Sequence, residues 1–421
     1  MRAYLRDALL MAMATGISRL FGLARDAAIA DRFGASAAYD AFVVAFFVPH
    51  LLRRLLAEGA LSSAFVPVYT ASRAEDSGAE RLASNVLTIL LLLFPIVVGL
   101  GVLLAPAYVP FLASGFDEAR IAETVSLTRI LLPFIALVGF ASVFTGVLNA
   151  HHRFLLPALA PVLFNVGMIV GATILVRWFP DRPILGLAVG ALLGGTGQLL
   201  LQLPAAMRLG LRLRLALWPL HPGIRRMARL MTPAVLALAV TQINLLVDNK
   251  LASHLGAGSI SSLQYATRLF QLPLGVFAVS VASALLPRFS DAAARGRPTQ
   301  LAERLRSGLL AATFVLLPSA VGLLVVSRDA VAVLFEHGRF TAGDTLRTAS
   351  VLSVYVLGIV PYGLTTIMTR AFYAQGRVAL PLLGMVLAVA TNVAGDLLLV
   401  RPMGIDAIAQ MLNTQILIID P

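Results

Sequence analysis

Arg19, Arg25 and Arg53 stand in a stretch from Gly16 to Tyr69 that is otherwise apolar enough for a membrane interior, and Arg268 stands in a second such stretch. A charged side chain facing lipid at the bilayer centre costs roughly 2.5–3.5 kcal/mol even on the mildest scale. The first three together would cost on the order of 10 kcal/mol, as much as a whole fold's stability. Such side chains belong in a water-filled interior. Guanidinium groups stay charged and grip oxyanions through paired N–H bonds, so there they would form an anion site. A phosphate-bearing cargo is the simplest match. Acidic partners lie among them. Arg54 and Glu58 share a helix face and would neutralise each other, while Arg53 points about 100° away. Arg25 has a second reading as an ion pair with Asp26 or Asp40, and Arg32 one as a side chain reaching to the surface.

A second constellation is made of oxygen ligands. Asp248, and Asn392 with Asp396 one helical turn on, would suit Na+ or a proton relay, unless Lys250 pairs with Asp248. The chemistry stops there. Cysteine is absent, and no HExxH, GxSxG or Walker A pattern occurs. His50, His151, His152, His254 and His337 lack metal-ligand spacing. The Gly-rich run at Gly194 has no lysine after it, and reads as a helix-packing surface. The chain is expected to be a transporter and no enzyme, with no cofactor, driven by Na+ or another ion, by the membrane potential, or by product removal.

The elements that position these residues are membrane helices. Of 421 residues, 59% are hydrophobic and 13% charged, and the mean hydropathy is +0.87; soluble domains carry about 25% charge. Apolar runs lie near 8–30, 40–67, 85–113, 127–149, 155–176, 183–206, 228–253, 262–287, 306–327, 347–373 and 378–400, with a weaker run at 404–419. The expected class is an all-α polytopic membrane protein with about 11–12 spans. The N-terminal run imitates a signal peptide, but no polar mature region follows it, so it reads as a retained first helix. The net charge of +12 is topological and points to no nucleic-acid partner. Seventeen arginines on one side of the spans against eight on the other place the N-terminus in the cytoplasm.

The chain also repeats. RLASNVLTILLLLFPIVVGL at Arg81 matches RLRSGLLAATFVLLPSAVGL at Arg304, and NAHHRFLLP at Asn149 matches YAQGRVALP at Tyr373. Asp26 and Gly34 pair likewise with Asp248 and Gly256. An even number of helices per unit gives two six-helix repeats inserted the same way up, related by an axis along the membrane normal and enclosing a central site. The expected domains are an N-terminal lobe over 1–207, a basic interfacial linker over 208–229 that holds Trp218, and a C-terminal lobe over 230–421, incomplete at its last helix.

SRLFGLARDAAIADRFGASAAYDAFVVAFFVPHLLRRLLAEGALSSAFVPVYT resembles the first two helices of the MurJ (MviN) family, bacterial lipid II flippases of the multidrug/oligosaccharidyl-lipid/polysaccharide exporter superfamily. NAHHRFLLPALAPVLFNVGMI and YATRLFQLPLGVFAVSVASALLP resemble later segments of that family. The resemblance implies movement of undecaprenyl-pyrophosphate-linked precursor from the cytoplasmic to the outer leaflet by alternating access, for peptidoglycan synthesis. It implies that Arg19, Arg25, Arg53 and Arg268 contact the pyrophosphate, with Asp26, Asp40 and Glu58 at the family's acidic positions. The expected setting is the bacterial inner membrane, with lipid II and membrane lipids as partners and a monomeric chain. The pattern departs at His50, often Asn in the family, and at Thr267, often acidic. Two further family helices that would hold a lipid tail are not in this sequence. The other readings are a paralogue that binds precursor without transport, or an exporter of another lipid-linked glycan.

Overall fold

The computed structural model describes residues 2–54, 60–75, 78–211, 214–216, 219–377, 379–403 and 405. Every regular element among them is helical. In chain order they are α1 (Arg2–Phe33), α2 (Ala37–Arg53), α3 (Ala60–Ala74), α4 (Ala79–Leu112), α5 (Glu118–Leu131), α6 (Phe134–Ala150), α7 (Leu155–Thr173), α8 (Ile184–Arg208), α9 (Gly223–Ala252), α10 (Ser259–Pro273), α11 (Val279–Ala294), α12 (Pro298–Val325), α13 (Ser327–Phe335), α14 (Ala342–Leu357), α15 (Ile359–Ala374) and α16 (Ala379–Met403). Among the described residues, six stretches are long and apolar enough to cross a membrane: α4, α5 with α6, α7, α8, α10 with α11, and α12. The pair α14 and α15, bent by 43°, makes a seventh. The all-α membrane class expected from composition is the one observed. α1 is also long, at 32 residues, but Arg19, Arg25, Asp26, Asp31 and Arg32 interrupt its apolar character.

Two expected spans carry a local irregularity, and a third is described only in part. Within the run 40–67, α2 and α3 are described and 55–59 lie outside the described residues. Arg53 is the last residue of α2. The run 127–149 divides at Pro133, which has no N–H to give to the helix ladder. The run 262–287 passes through a π-helical turn, Leu274–Ala278, directly after Pro273. The weak run 404–419 lies outside the described residues apart from 405.

By contacts the chain forms two units. The first holds residues 1–33, 37–112 and 116–239, and the second holds 34–36, 113–115 and 240–421. The division falls inside α9.

Within the first unit, α7 and α8 meet at their backbones. A Cβ on Gly167 would lie 2.5 Å from the Gly194 Cα, so only glycine allows that approach. The Gly-rich run at Gly194 is therefore a packing surface. Phe65, Leu82, Ile135, Val143 and Val147 form a core of full burial or nearly so, joined by Leu211 and Met227 from the region of the expected linker. That linker is held from beneath. The Asn85 side chain in α4, fully buried, accepts from the His221 N–H at 2.8 Å and donates to the Ala216 carbonyl, and Thr88 Oγ1 accepts from the Ala216 N–H at 3.0 Å. Buried polar groups on a membrane helix need such partners, and here the linker backbone supplies them.

In the second unit, Tyr265 is buried between Phe335 and Phe340, and its hydroxyl donates to the Gly34 carbonyl at 3.2 Å. The Gly115 N–H donates to Ser253 Oγ at 3.0 Å, beside a hydrogen bond between Ser114 Oγ and His254 Nε2, also 3.0 Å. The repeat shows locally at two turns. Arg153 N–H closes on the Leu148 carbonyl at 2.8 Å, and Arg377 N–H on the Phe372 carbonyl at 3.0 Å. The residue before each arginine is left-handed: His152 at φ 58° and Gly376 at φ 72°.

Candidate functional site

α7 is the element that two first-unit arginines, Arg25 and Arg53, both meet. Arg25 lies on α1, whose side packs along α7. Its Nε and Nη2 reach Asp26 Oδ1 at 2.9 and 2.7 Å, and its Nη1 donates to Asn165 Oδ1 at 2.9 Å. Asn165 in turn donates through Nδ2 to the Ser18 carbonyl at 3.1 Å, about two helical turns back along α1 from Arg25. The amide therefore bridges a side chain and a main-chain carbonyl of the same helix. The Arg25 and Asp26 side chains are 11% and 6% exposed, so the pair is largely withdrawn from water. Three of the five guanidinium N–H groups are used in this way, and two remain.

Arg53 arrives from the end of α2. Its guanidinium carbon lies 5.6 Å from the centroid of the Phe164 ring, the residue directly before Asn165. Phe164 is held in place by Phe134 at 5.4 Å and by Phe46 at 6.1 Å, in a cluster of three rings. A cation over an aromatic face gains about 0.5–2 kcal/mol.

The other expected residues are placed as follows. Arg19 is exposed on α1, six residues before Arg25. Asp26 is Arg25's ion partner, which decides between it and Asp40 in that role. Asp40 is fully buried in the first turn of α2, where the helix N-terminus favours a carboxylate. Arg54 is half-buried, and Glu58 lies outside the described residues, so their pairing does too. Arg268 is half-buried on α10 of the second unit. Asp248 on α9 and Asn392 on α16 are 3% and 0% exposed, while the Asp396 side chain lies outside what is described. Phe164 and Asn165 are the residues that sequence reading missed. Their signal was weak, since a neutral amide and a phenylalanine raise no alarm in an apolar helix.

The family model described as "Lipid II flippase MurJ" matches residues 29–414 of this chain. The chain belongs to the MurJ family. A probable lipid II flippase MurJ of Thermotoga maritima is 35% identical over 406 residues, which are 96% of this chain and 81% of that relative. Lipid II flippase MurJ of Burkholderia cenocepacia is 35% identical over 375 residues, 87% of this chain and 72% of its own. A solved structure of lipid II flippase MurJ in an inward closed conformation superposes with a TM-score of 0.85 at 28% identity, over 97% of this chain and 85% of that one. An inward-facing transporter of the MATE family matches with a TM-score of 0.75 at 18% identity, over 98% of this chain and 96% of its own, which is a likeness of fold. The MurJ frame thus places Arg25 and Arg53 in the first unit of a multi-span transporter and not in a catalytic centre.

Proposed function

We propose that this chain is a lipid II flippase. It carries undecaprenyl-pyrophosphate-linked peptidoglycan precursor from the cytoplasmic to the outer leaflet of the bacterial inner membrane by alternating access. The observation that carries the reading is the pair of arginines, Arg25 and Arg53, brought to consecutive residues of α7 in a chain of the MurJ family. A diphosphate offers two anionic groups, and separately anchored guanidiniums suit it better than one ion would. Arg19 and Arg268 complete the proposed set of diphosphate ligands. Asp26 and Asp40 tune its charge.

The setting follows from the same reading. The chain works as a monomer with its N-terminus in the cytoplasm, in keeping with the arginine bias of the loops. Na+ or the membrane potential supplies the driving force, with Asp248, Asn392 and Asp396 as the cation's oxygen donors. Asn392 fits such a role: it is fully buried, and neither its Oδ1 nor its Nδ2 has a hydrogen-bond partner among the described residues.

The test is growth of a flippase-depleted cell that carries this chain. Arg25→Ala, Arg53→Ala and Arg19→Ala are each expected to abolish rescue at wild-type membrane levels. Rescue by all three would overturn the arginine site. Retained precursor binding with no translocation in vesicles, for the unmutated chain, would instead make it a binder.

A further inference from the structure

We propose that Phe164 and Asn165 are positioning residues. One step of α7 sets the separation and orientation of two phosphate-binding arginines, and thereby selects a diphosphate over a monophosphate. The inference rests on the reading of Arg25 and Arg53 as diphosphate ligands.

Long arginine side chains lose much rotamer freedom on binding an ion, which weakens a site unless the protein has already ordered them. Here both meet consecutive residues of one helix. Consecutive residues of a helix point about 100° apart and share a rigid backbone, so Phe164 and Asn165 reach toward two different neighbouring helices at one level. Asn165 takes Arg25 at 2.9 Å and locks its own amide against the Ser18 carbonyl at 3.1 Å, which fixes the orientation of the amide. Phe164 takes the face of Arg53 and is itself wedged between Phe134 and Phe46. Both residues are nearly buried, at 5% and 6% exposure.

The choice of residue types matters as much as their place. An amide oxygen holds a guanidinium without cancelling its charge, and an aromatic ring does the same. Asp26 is the one carboxylate bonded to Arg25. A second carboxylate at 165 would offset the charge that an anion must find.

The test uses the purified full chain in detergent, with farnesyl diphosphate and farnesyl monophosphate as probes, read by titration calorimetry. Asn165→Ala and Phe164→Leu are each expected to lower the preference for the diphosphate about tenfold, as outer partners of binding groups do. Phe164→Tyr keeps the ring and is expected to keep the preference. Asn165→Asp keeps an acceptor for Arg25, and is expected to lose diphosphate affinity while the ligand-free protein still melts cooperatively. Arg25→Ala and Arg25→Ala/Asn165→Ala should bind alike, because the amide acts through the arginine. An unchanged preference in both Asn165→Ala and Phe164→Leu would overturn the proposal, as would additive effects in the double variant. If Arg25→Ala and Arg53→Ala bind farnesyl diphosphate as the unmutated chain does, the reading of the arginine site fails first, and separately.

Discussion

Asp26 in the first unit is bonded to Arg25, and Arg25 to Asn165. At the matching positions of the second repeat, Asp248 is kept, but Arg25 is answered by Val247, Phe164 by Ala388 and Asn165 by Val389. The clasp on the linker has gone the same way, since Asn85 and Thr88 correspond to Gly308 and Ala311. Gly308 packs instead against Leu285, where a side chain would clash. The two copies therefore differ in polar content at these positions. At these positions the first copy carries polar side chains that hold other polar groups, while the second keeps the acid and has Val247, Ala388, Val389, Gly308 and Ala311. Duplicated membrane lobes need not share a site equally, because a polar residue in an apolar helix is retained only where a partner repays its desolvation.

The largest test of this contrast makes the first unit imitate the second at its centre. Arg25→Val leaves the Asp26 carboxylate, 6% exposed, without its guanidinium. The expected loss is about 3–5 kcal/mol, read as a lowered unfolding temperature in detergent. Arg25→Lys should recover part of it, since a point charge can hold Asp26 but not Asp26 and Asn165 together. An unchanged melting temperature in Arg25→Val would mean that the ion pair contributes nothing.

A smaller effect is expected from Asn85→Gly with Thr88→Ala, which copies Gly308 and Ala311. The linker backbone at Ala216 and His221 loses its buried partners, at about 1–3 kcal/mol for each unsatisfied group. Trypsin should then cut faster at Arg208, Arg212 or Arg214. Equal cleavage rates in variant and parent would show that the clasp does not restrain this segment.

Exchanging the turn residues sharpens the comparison from the other direction. His152 sits at φ 58° where its counterpart is Gly376 at φ 72°. A non-glycine residue pays about 1–2 kcal/mol for that backbone region. His152→Gly should therefore raise stability by about 1 kcal/mol, and Gly376→Ala should lower it by a similar amount, both read by thermal unfolding.

The smallest effect concerns pH. His151 corresponds to Gln375, which does not titrate. Burial lowers the His151 pKa below its usual 6.5, and the nearby charges of Arg73 and His152 push it the same way. The unfolded chain then binds the proton first. Stability from this residue is complete above pH 6.5 and falls as the pH drops through 6.5 toward the depressed value. His151→Gln should flatten that part of the stability profile. A profile as steep as the parent's would assign the dependence elsewhere.

Much of this was legible in the residues themselves. The all-helical membrane class follows from composition, since 59% apolar residues leave the backbone no solvent but itself. The arginines announced themselves because charge in an apolar run is expensive wherever the chain folds. The repeat was visible because Arg81 and Arg304, Pro95 and Pro318, and Gly99 and Gly322 keep their order and spacing.

What organises those arginines was not legible. Asn165 lies 140 residues from Arg25, and Phe164 more than a hundred from Arg53, and neither type is unusual in a buried helix. The partner of Arg25 was equally undecided between Asp26 and Asp40, and the side-chain geometry gives that role to its neighbour on the same helix, Asp26. The interruptions at Pro133 and at Leu274–Ala278 are a local matter of backbone hydrogen bonding that hydropathy does not register. The sequence determined which groups the membrane would not tolerate alone. Only the tertiary structure decided what keeps them company, because a pairwise contact depends on where two distant helices cross, and composition carries no record of that crossing.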